Sequence, residues 1–327
     1  MIISLEFSDN SSIMNGICRR GENVLEIVQS KQRKMYVVGI VSLLASAILT
    51  SISQVYYANK VQLVHPFLFT GISFFITAIF FQMVAMKQRV QVEWKRAFLP
   101  LLKLNLASVL AFMGFYFALK YIEPAIVSSL EMGAGPLFVL VIALRTRVHI
   151  PRIQWWIALG TLGACLLLIY VIFSGNSGVT EWRVENSWGI VMSIFCGLGA
   201  VLCTIYSKQL STLGWSSSMI LSKRFIAIII LSFIATYDTL ILYFLENIAW
   251  IMMVTIMGVL IPMYLLQKGI QYCETFIVMM SLCFIPVFTF FFQLLDPRLT
   301  WSSLTFTGVC LLLILGILSM WQEQKNV

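Results

Sequence analysis

Charge is scarce in this chain. Only 11% of its residues are Asp, Glu, Lys or Arg and 60% are apolar, against about 25% charged and roughly 45–50% apolar in soluble domains. A water-soluble globule has no way to bury that surplus, which excludes a soluble fold. Histidine is scarcer still. The two present, His65 and His149, fall in expected turns on opposite sides of a membrane, so they offer neither a metal cluster nor a nucleophile–base pair. The seven cysteines (Cys18, Cys165, Cys196, Cys203, Cys273, Cys283, Cys310) lie mostly in apolar stretches without paired ligand spacing. They read as small buried side chains rather than as a zinc site or disulfide framework. The spacing Gly-x-x-x-x-Gly-Lys-Ser/Thr is missing, which argues against ATP hydrolysis by this chain. No catalytic residue, metal or cofactor is expected, and the first 34 residues contain no apolar segment of signal-peptide type.

What is present is a series of long apolar blocks. Unbroken runs such as Ala164 to Ile169 contradict the alternating strands of a membrane barrel. Helices, which satisfy their backbone groups within one segment, tolerate such runs in lipid. The fold expected is therefore all-α integral membrane, with ten transmembrane helices of the length that a ~30 Å hydrocarbon core requires. They are placed near Val37–Tyr57, Pro66–Met86, Phe98–Leu119, Pro124–Leu144, Trp155–Phe173, Trp188–Tyr206, Met219–Tyr243, Ile248–Leu266, Phe276–Leu295 and Leu304–Met320.

The formal charge of +8 resides mainly in short turns, which suits membrane orientation and not nucleic-acid binding. One set of turns holds Lys87, Arg89, Lys95, Arg96, Arg145, Arg147, Arg152, Lys208 and Lys268, beside the basic cluster Lys31, Arg33 and Lys34. The opposite set holds Lys60, Lys120, Arg183 and Arg298 among the acids Glu123, Glu181, Glu185, Asp238, Glu246 and Asp296. The positive-inside bias puts both termini in the cytoplasm of a multi-pass cell-membrane protein.

An internal repeat organises the blocks. Gly163-Ala-Cys-Leu-Leu-Leu-Ile169 matches Gly308-Val-Cys-Leu-Leu-Leu-Ile314, with Trp156 and Trp301 at equal distances upstream. Tyr116, Lys120, Glu123 and Pro136 have looser counterparts in Tyr264, Lys268, Glu274 and Pro286. The division expected is a cytoplasmic tail 1–36, a first repeat 37–174, an extracytoplasmic linker 175–187, a second repeat 188–321 and a cytoplasmic tail 322–327. Five helices is an odd number, so the second repeat enters the membrane with inverted polarity. Such inverted repeats form transporters that bind substrate near the midplane and rock one half against the other.

Tyr116-Phe-Ala-Leu-Lys-Tyr121, the apolar helix with Pro136, the basic turn before Trp156 and the Gly163 block follow one another in an order that resembles the drug/metabolite transporter superfamily, EamA-type. Ser222-Lys-Arg-Phe225 resembles the family's Arg-Phe start of a repeat's second helix, and Asp296-Pro-Arg-Leu-Thr300 its acidic turn before the last helix. Ser73 stands where the family usually has arginine, and 145–150 lacks its usual Leu-Gly-Glu turn. The resemblance implies a secondary transporter of a small organic metabolite, such as an amino acid, an amine-bearing compound or a drug-like solute, with efflux coupled to a proton or solute gradient. It leaves open uptake or exchange of a nucleoside-like metabolite such as S-adenosylmethionine. A non-transporting membrane receptor or a membrane enzyme is the reading from a different class. The partners expected are a small-molecule substrate, the lipid bilayer, a proton or counter-transported solute, and a second copy of the chain in a homodimer.

Charged and polar residues within the blocks are the candidate site. Glu131 lies mid-span, where a charge costs about 2.5–3.5 kcal/mol on insertion scales, so a cavity, a cation, a proton or a basic partner is expected to offset it. Asn105, Phe112 and Tyr116 are separated by seven and four residues and share a helix face. Tyr264 and Gln267 are the second-half counterparts. Lys223 and Arg224 enter the seventh block from its cytoplasmic end as a gate or coupling pair, against a plainer reading in which their heads reach the interface. Pro136, Pro262 and Pro286 are expected to bend their helices.

Overall fold

A computed structural model describes the backbone of residues 9–87, 93–145, 152–178, 183–238, 240–273, 278 and 281–325. The described residues form helices and turns, with no strand among them. Eight helices are long and apolar enough to cross a membrane: α1 (Asp9–Lys60, apolar from Lys34), α2 (Pro66–Met86), α3 (Trp94–Tyr121), α4 (Pro124–Arg145), α5 (Arg152–Phe173), α6 (Val184–Thr212), α7 (Ser217–Ala235) and α8 (Glu246–Leu266). The chain continues into two shorter apolar helices, α9 (Ser281–Gln293) and α10 (Ser303–Ser319, extending to Lys325). Large apolar side chains such as Val41, Ile79, Leu106, Leu166 and Ile314 face outward. An outward apolar surface on eight such helices is that of an integral, multi-pass membrane protein.

Local chemistry starts these helices where expected. Pro66 and Pro124 stand at first helical positions, where a missing N–H costs nothing, and the His65 ring accepts a hydrogen bond from Phe67 N at 3.3 Å. Ser216 caps α7 by accepting from Met219 N at 3.4 Å. Three departures from the expected spans matter. The helix that contains the first block begins at Asp9 and not near Val37, since no proline interrupts residues 9–60. The expected rod Met219–Tyr243 ends at Ala235 and is itself split into Ser217–Lys223 and Ile226–Ala235, with Phe225 at φ −103°, ψ 4° between them. Two helices contain a π-helical stretch, Val109–Met113 in α3 and Thr255–Leu260 in α8, a widening often found at functional sites.

Helix packing has a pattern. α1 lies against α8 and α9, whereas α6 lies against α3 and α4. α2 packs along α7, α4 against α5 and α9, and α5 against α10. At the two π-helical stretches backbones come unusually close. A Cβ on Gly199 of α6 would sit 2.4 Å from Ala111 N, and one on Gly258 of α8 would sit 2.4 Å from Ser53 Cβ of α1. Glycine is what lets either pair meet.

The core sits where α1, α2, α3 and α7 converge. Tyr57, Phe69, Phe74 and Phe225 are fully buried there, with Tyr116 beside them. Ring centroids lie 4.6 Å apart for Tyr57 and Phe69, 4.9 Å for Tyr57 and Tyr116, and 4.7 Å for Phe74 and Phe225. These tilted and edge-on contacts suit aromatic quadrupoles and fix the rings that border the central polar residues.

Candidate functional site

The break in α7 is built by Asn105. Its Nδ2 donates to Lys223 O at 2.9 Å and to Leu101 O at 3.0 Å, while its Oδ1 accepts from Ala227 N at 3.0 Å. Lys223 C=O and Ala227 N–H are the pair that an unbroken helix would join directly. The side-chain amide of Asn105 is inserted between them, standing in for a peptide group. Buried at 7% exposure, with both amide hydrogens engaged, Asn105 acts here as a splice and has little left for a ligand. A helix-face pattern shows the position of such a residue but not that its partner is the backbone of a distant helix.

The splice also sets the position of Arg224, one residue beyond Lys223. Arg224 is half-buried and its Nε donates to Ser108 Oγ of α3 at 3.2 Å. Its guanidinium carbon lies 5.3 Å from the centroids of both Phe112 and Phe225, close enough for cation–π attraction to each ring. Phe112 in turn touches Phe74 at 4.9 Å. Ser108, Phe112 and Tyr116 thus form one stripe of α3 at four-residue spacing. Lys223 is half-buried, and the contact of its backbone carbonyl with Asn105 is the one that ties it to this group.

Glu131 of α4 is half-buried at the other end of this stripe. Its carboxyl lies within electrostatic range of the Cys196 thiol of α6 and of the Tyr116 phenol. Cys196 Sγ also reaches Ala111 O at 3.0 Å, in the π-helical stretch of α3. Close helix approach explains why the acid sits there, because a Cβ on Gly197 would meet Glu131 O at 2.7 Å. The structure therefore brings Glu131, Tyr116, Arg224 and Asn105 to α3 and its neighbours. It does not bring Tyr264 into that group: Tyr264 is exposed, with the Lys268 ammonium 5.1 Å from its ring centroid. Gln267 belongs to the helical stretch Ile261–Tyr272, but its side chain lies outside the described residues, as do Arg147, His149 and Glu274.

A second polar cluster closes the bundle at the end where Lys60, Tyr121, Pro124 and Phe173 meet. Glu123, only 1% exposed, accepts from Gly178 N at 2.8 Å, from Thr305 Oγ1 at 3.3 Å, and from Gln293 Nε2. Gln293 Oε1 accepts from Ala125 N at 3.1 Å, so one glutamine ties α9 to the start of α4. Burial pushes the Glu123 carboxyl above the usual carboxylate range, although three donors favour its ionised form. Nearby, Asp296 binds Arg298 at 2.5 Å and accepts from Asn59 Nδ2 at 3.1 Å. Burial would raise Asp296, but the Arg298 hydrogen bonds outweigh it and hold the carboxyl below the usual range. Beside this cluster opens a cleft of about 520 Å³ lined by Gln62, Lys120, Tyr121, Arg183, Glu185 and Arg298 among others. None of the mid-helix candidates lines it.

Sequence reasoning misses the end cluster as a site. Its one legible signal is charge: Glu123 precedes a helix-starting proline, and Asp296 stands two residues before Arg298. Gln293 and Gly178 carry none.

No protein-family profile matches the chain, and no curated protein does. Thirteen chains of solved structures match. One of them, a crystal structure described only as that of a protein, aligns over 87% of this chain and 94% of its own with a TM-score of 0.54 at 16% identity. At that identity the likeness is one of fold alone.

Proposed function

We propose that the chain is a secondary transporter in which ten helices cross the cell membrane as two inverted five-helix repeats, 37–174 and 188–321, and move a small organic metabolite by alternating access. The observation that supports this reading is the pairing of the helices. Advancing every helix number by five, cyclically, turns α3 against α6 into α8 against α1, and α4 against α6 into α9 against α1. The pairs α2 with α7, α4 with α9 and α5 with α10 map onto themselves. The two π-helical stretches and their two glycine approaches, Ala111 with Gly199 and Ser53 with Gly258, exchange under the same operation. An odd number of helices per unit then inverts one unit in the bilayer, with both termini in the cytoplasm.

Alternating access needs a polar centre and a closable end. Glu131 and Arg224, on either side of the Ser108-Phe112-Tyr116 stripe, supply the first in this reading. Glu131 is the group that takes a proton or a cationic part of the cargo, and the direction assigned is efflux. The Glu123–Gln293 and Asp296–Arg298–Asn59 contacts supply the second, because they link elements of both repeats and have to part when that end opens.

The test is a solute screen in proteoliposomes with and without an imposed proton gradient. Saturable flux of an organic solute that responds to the gradient is expected. Flux that stays linear with concentration, or none for any solute class, would overturn the carrier reading.

A further inference from the structure

Arg224 carries a charge that its contacts among the described residues leave largely unsatisfied. It stands seven residues into α7, about 11 Å from the helix start at 1.5 Å per residue. A guanidinium offers five N–H donors. One, on Nε, has a protein acceptor in Ser108 Oγ at 3.2 Å, and the other four have none among the described residues. No carboxylate of the described residues lies within ion-pair distance of it. A buried or half-buried charge without a counterion at this depth is expensive, so something other than this protein balances it.

The surroundings are made for an oxyanion. Phe112 and Phe225 lie together on one side of the guanidinium, each centroid 5.3 Å from its central carbon and 5.7 Å from the other ring. Both rings are held by Phe74, at 4.9 and 4.7 Å, and the chain at Arg224 is held by the Asn105 splice. A fork of free N–H groups, fixed in direction and bordered by aromatic faces, matches a carboxylate or phosphate carried on an apolar or aromatic body. We propose that the Arg224 guanidinium, with Phe112 and Phe225, is a binding site for the carboxylate or phosphate group of an amphipathic organic anion. The inference rests on the carrier reading only in taking that anion for cargo. The same chemistry would also hold the phosphate of a lipid headgroup.

The experiment uses the full chain, purified in neutral detergent, and follows its thermal unfolding midpoint at constant ionic strength. The probes are benzoate, phenylphosphonate and the neutral isostere benzamide. Benzoate or phenylphosphonate is expected to raise the midpoint, with benzamide inert. Arg224→Gln is expected to weaken the apparent affinity on the order of tenfold to a hundredfold, and Arg224→Lys to restore part of it. The same titration in nanodiscs of phosphatidylcholine, with and without phosphatidylglycerol, separates the sources. Competition by phosphatidylglycerol supports the site with lipid as its occupant, and indifference supports it with a free solute. An equal response in Arg224→Gln, or no response of the native chain to either oxyanion, would overturn the proposal. Transport of a neutral solute by a chain that ignores both oxyanions would sink this site and leave the carrier reading standing. Oxyanion binding without flux of any solute would do the reverse.

Discussion

Replacing Asn105 by Leu removes the splice in α7 at almost constant volume. Two backbone groups lose their partners: Lys223 C=O, bonded at 2.9 Å, and Ala227 N–H, bonded at 3.0 Å. Leu101 C=O also loses a contact, but as a helix-interior carbonyl it is the least affected. Hydrogen bonds between membrane helices are worth roughly 0.6–1.7 kcal/mol each, and an orphaned buried group costs about 1–3 kcal/mol. For two such groups the expected loss is about 2–6 kcal/mol. Asn105→Asp should cost more, because a carboxylate oxygen would then face the Lys223 carbonyl. The assay is equilibrium unfolding of the purified chain in mixed micelles by SDS titration, read by far-UV circular dichroism. An Asn105→Leu variant as stable as the native chain, within about 0.5 kcal/mol, would refute the splice, since mutational effects of that size are ordinary surface scatter.

Three further outcomes are expected. Glu131→Gln should insert normally yet slow proteoliposome flux roughly tenfold or more if the carboxyl moves a proton; equal flux at several pH values would remove Glu131 from the mechanism. Gly199→Ala should destabilise by about 1–3 kcal/mol, since its methyl would meet backbone 2.4 Å away at Ala111 N; an unchanged unfolding midpoint would contradict that close approach. The Asp296 carboxyl lies below its usual range when folded, so its contribution to stability is full above the unfolded value of about 3.9 and is lost as pH falls through the folded value. Asp296→Asn should flatten that acid limb, and an acid limb of the same shape in both proteins would show that the Arg298 pair does not matter to it.

The sequence exposes what depends on composition and hides what depends on partners from far along the chain. α2 runs from Pro66 to Met86 as expected, because proline, apolar run and basic turn all act locally. The interruption of α7 is different. Nothing in Ser222-Lys-Arg-Phe225 forbids a continuous helix, and the break arises from Asn105, 118 residues away from Lys223. The π-helical stretches escape notice for a similar reason, since Val109–Met113 is an ordinary helix-forming run whose widening accompanies the approach of Gly199. Of the candidate residues, Glu131, Tyr116 and Arg224 share the neighbourhood that their placement on apolar blocks suggests. Asn105 stands out in the sequence for its polarity and belongs to the scaffold of that neighbourhood. Tyr264 matches Tyr116 by spacing, yet the two have different surroundings: Tyr116 is buried among aromatic rings and Tyr264 is exposed. Repetition in sequence thus does not by itself yield equivalent side-chain surroundings.

The proposed head-to-tail arrangement of two halves is most directly tested by single-cysteine labelling at Lys60 and at Thr212, which are exposed at the ends of α1 and α6. In sealed vesicles of a chain otherwise freed of cysteine, a membrane-impermeant maleimide should reach Lys60→Cys from one side only and Thr212→Cys from the other only. Labelling of both positions from the same side would contradict it.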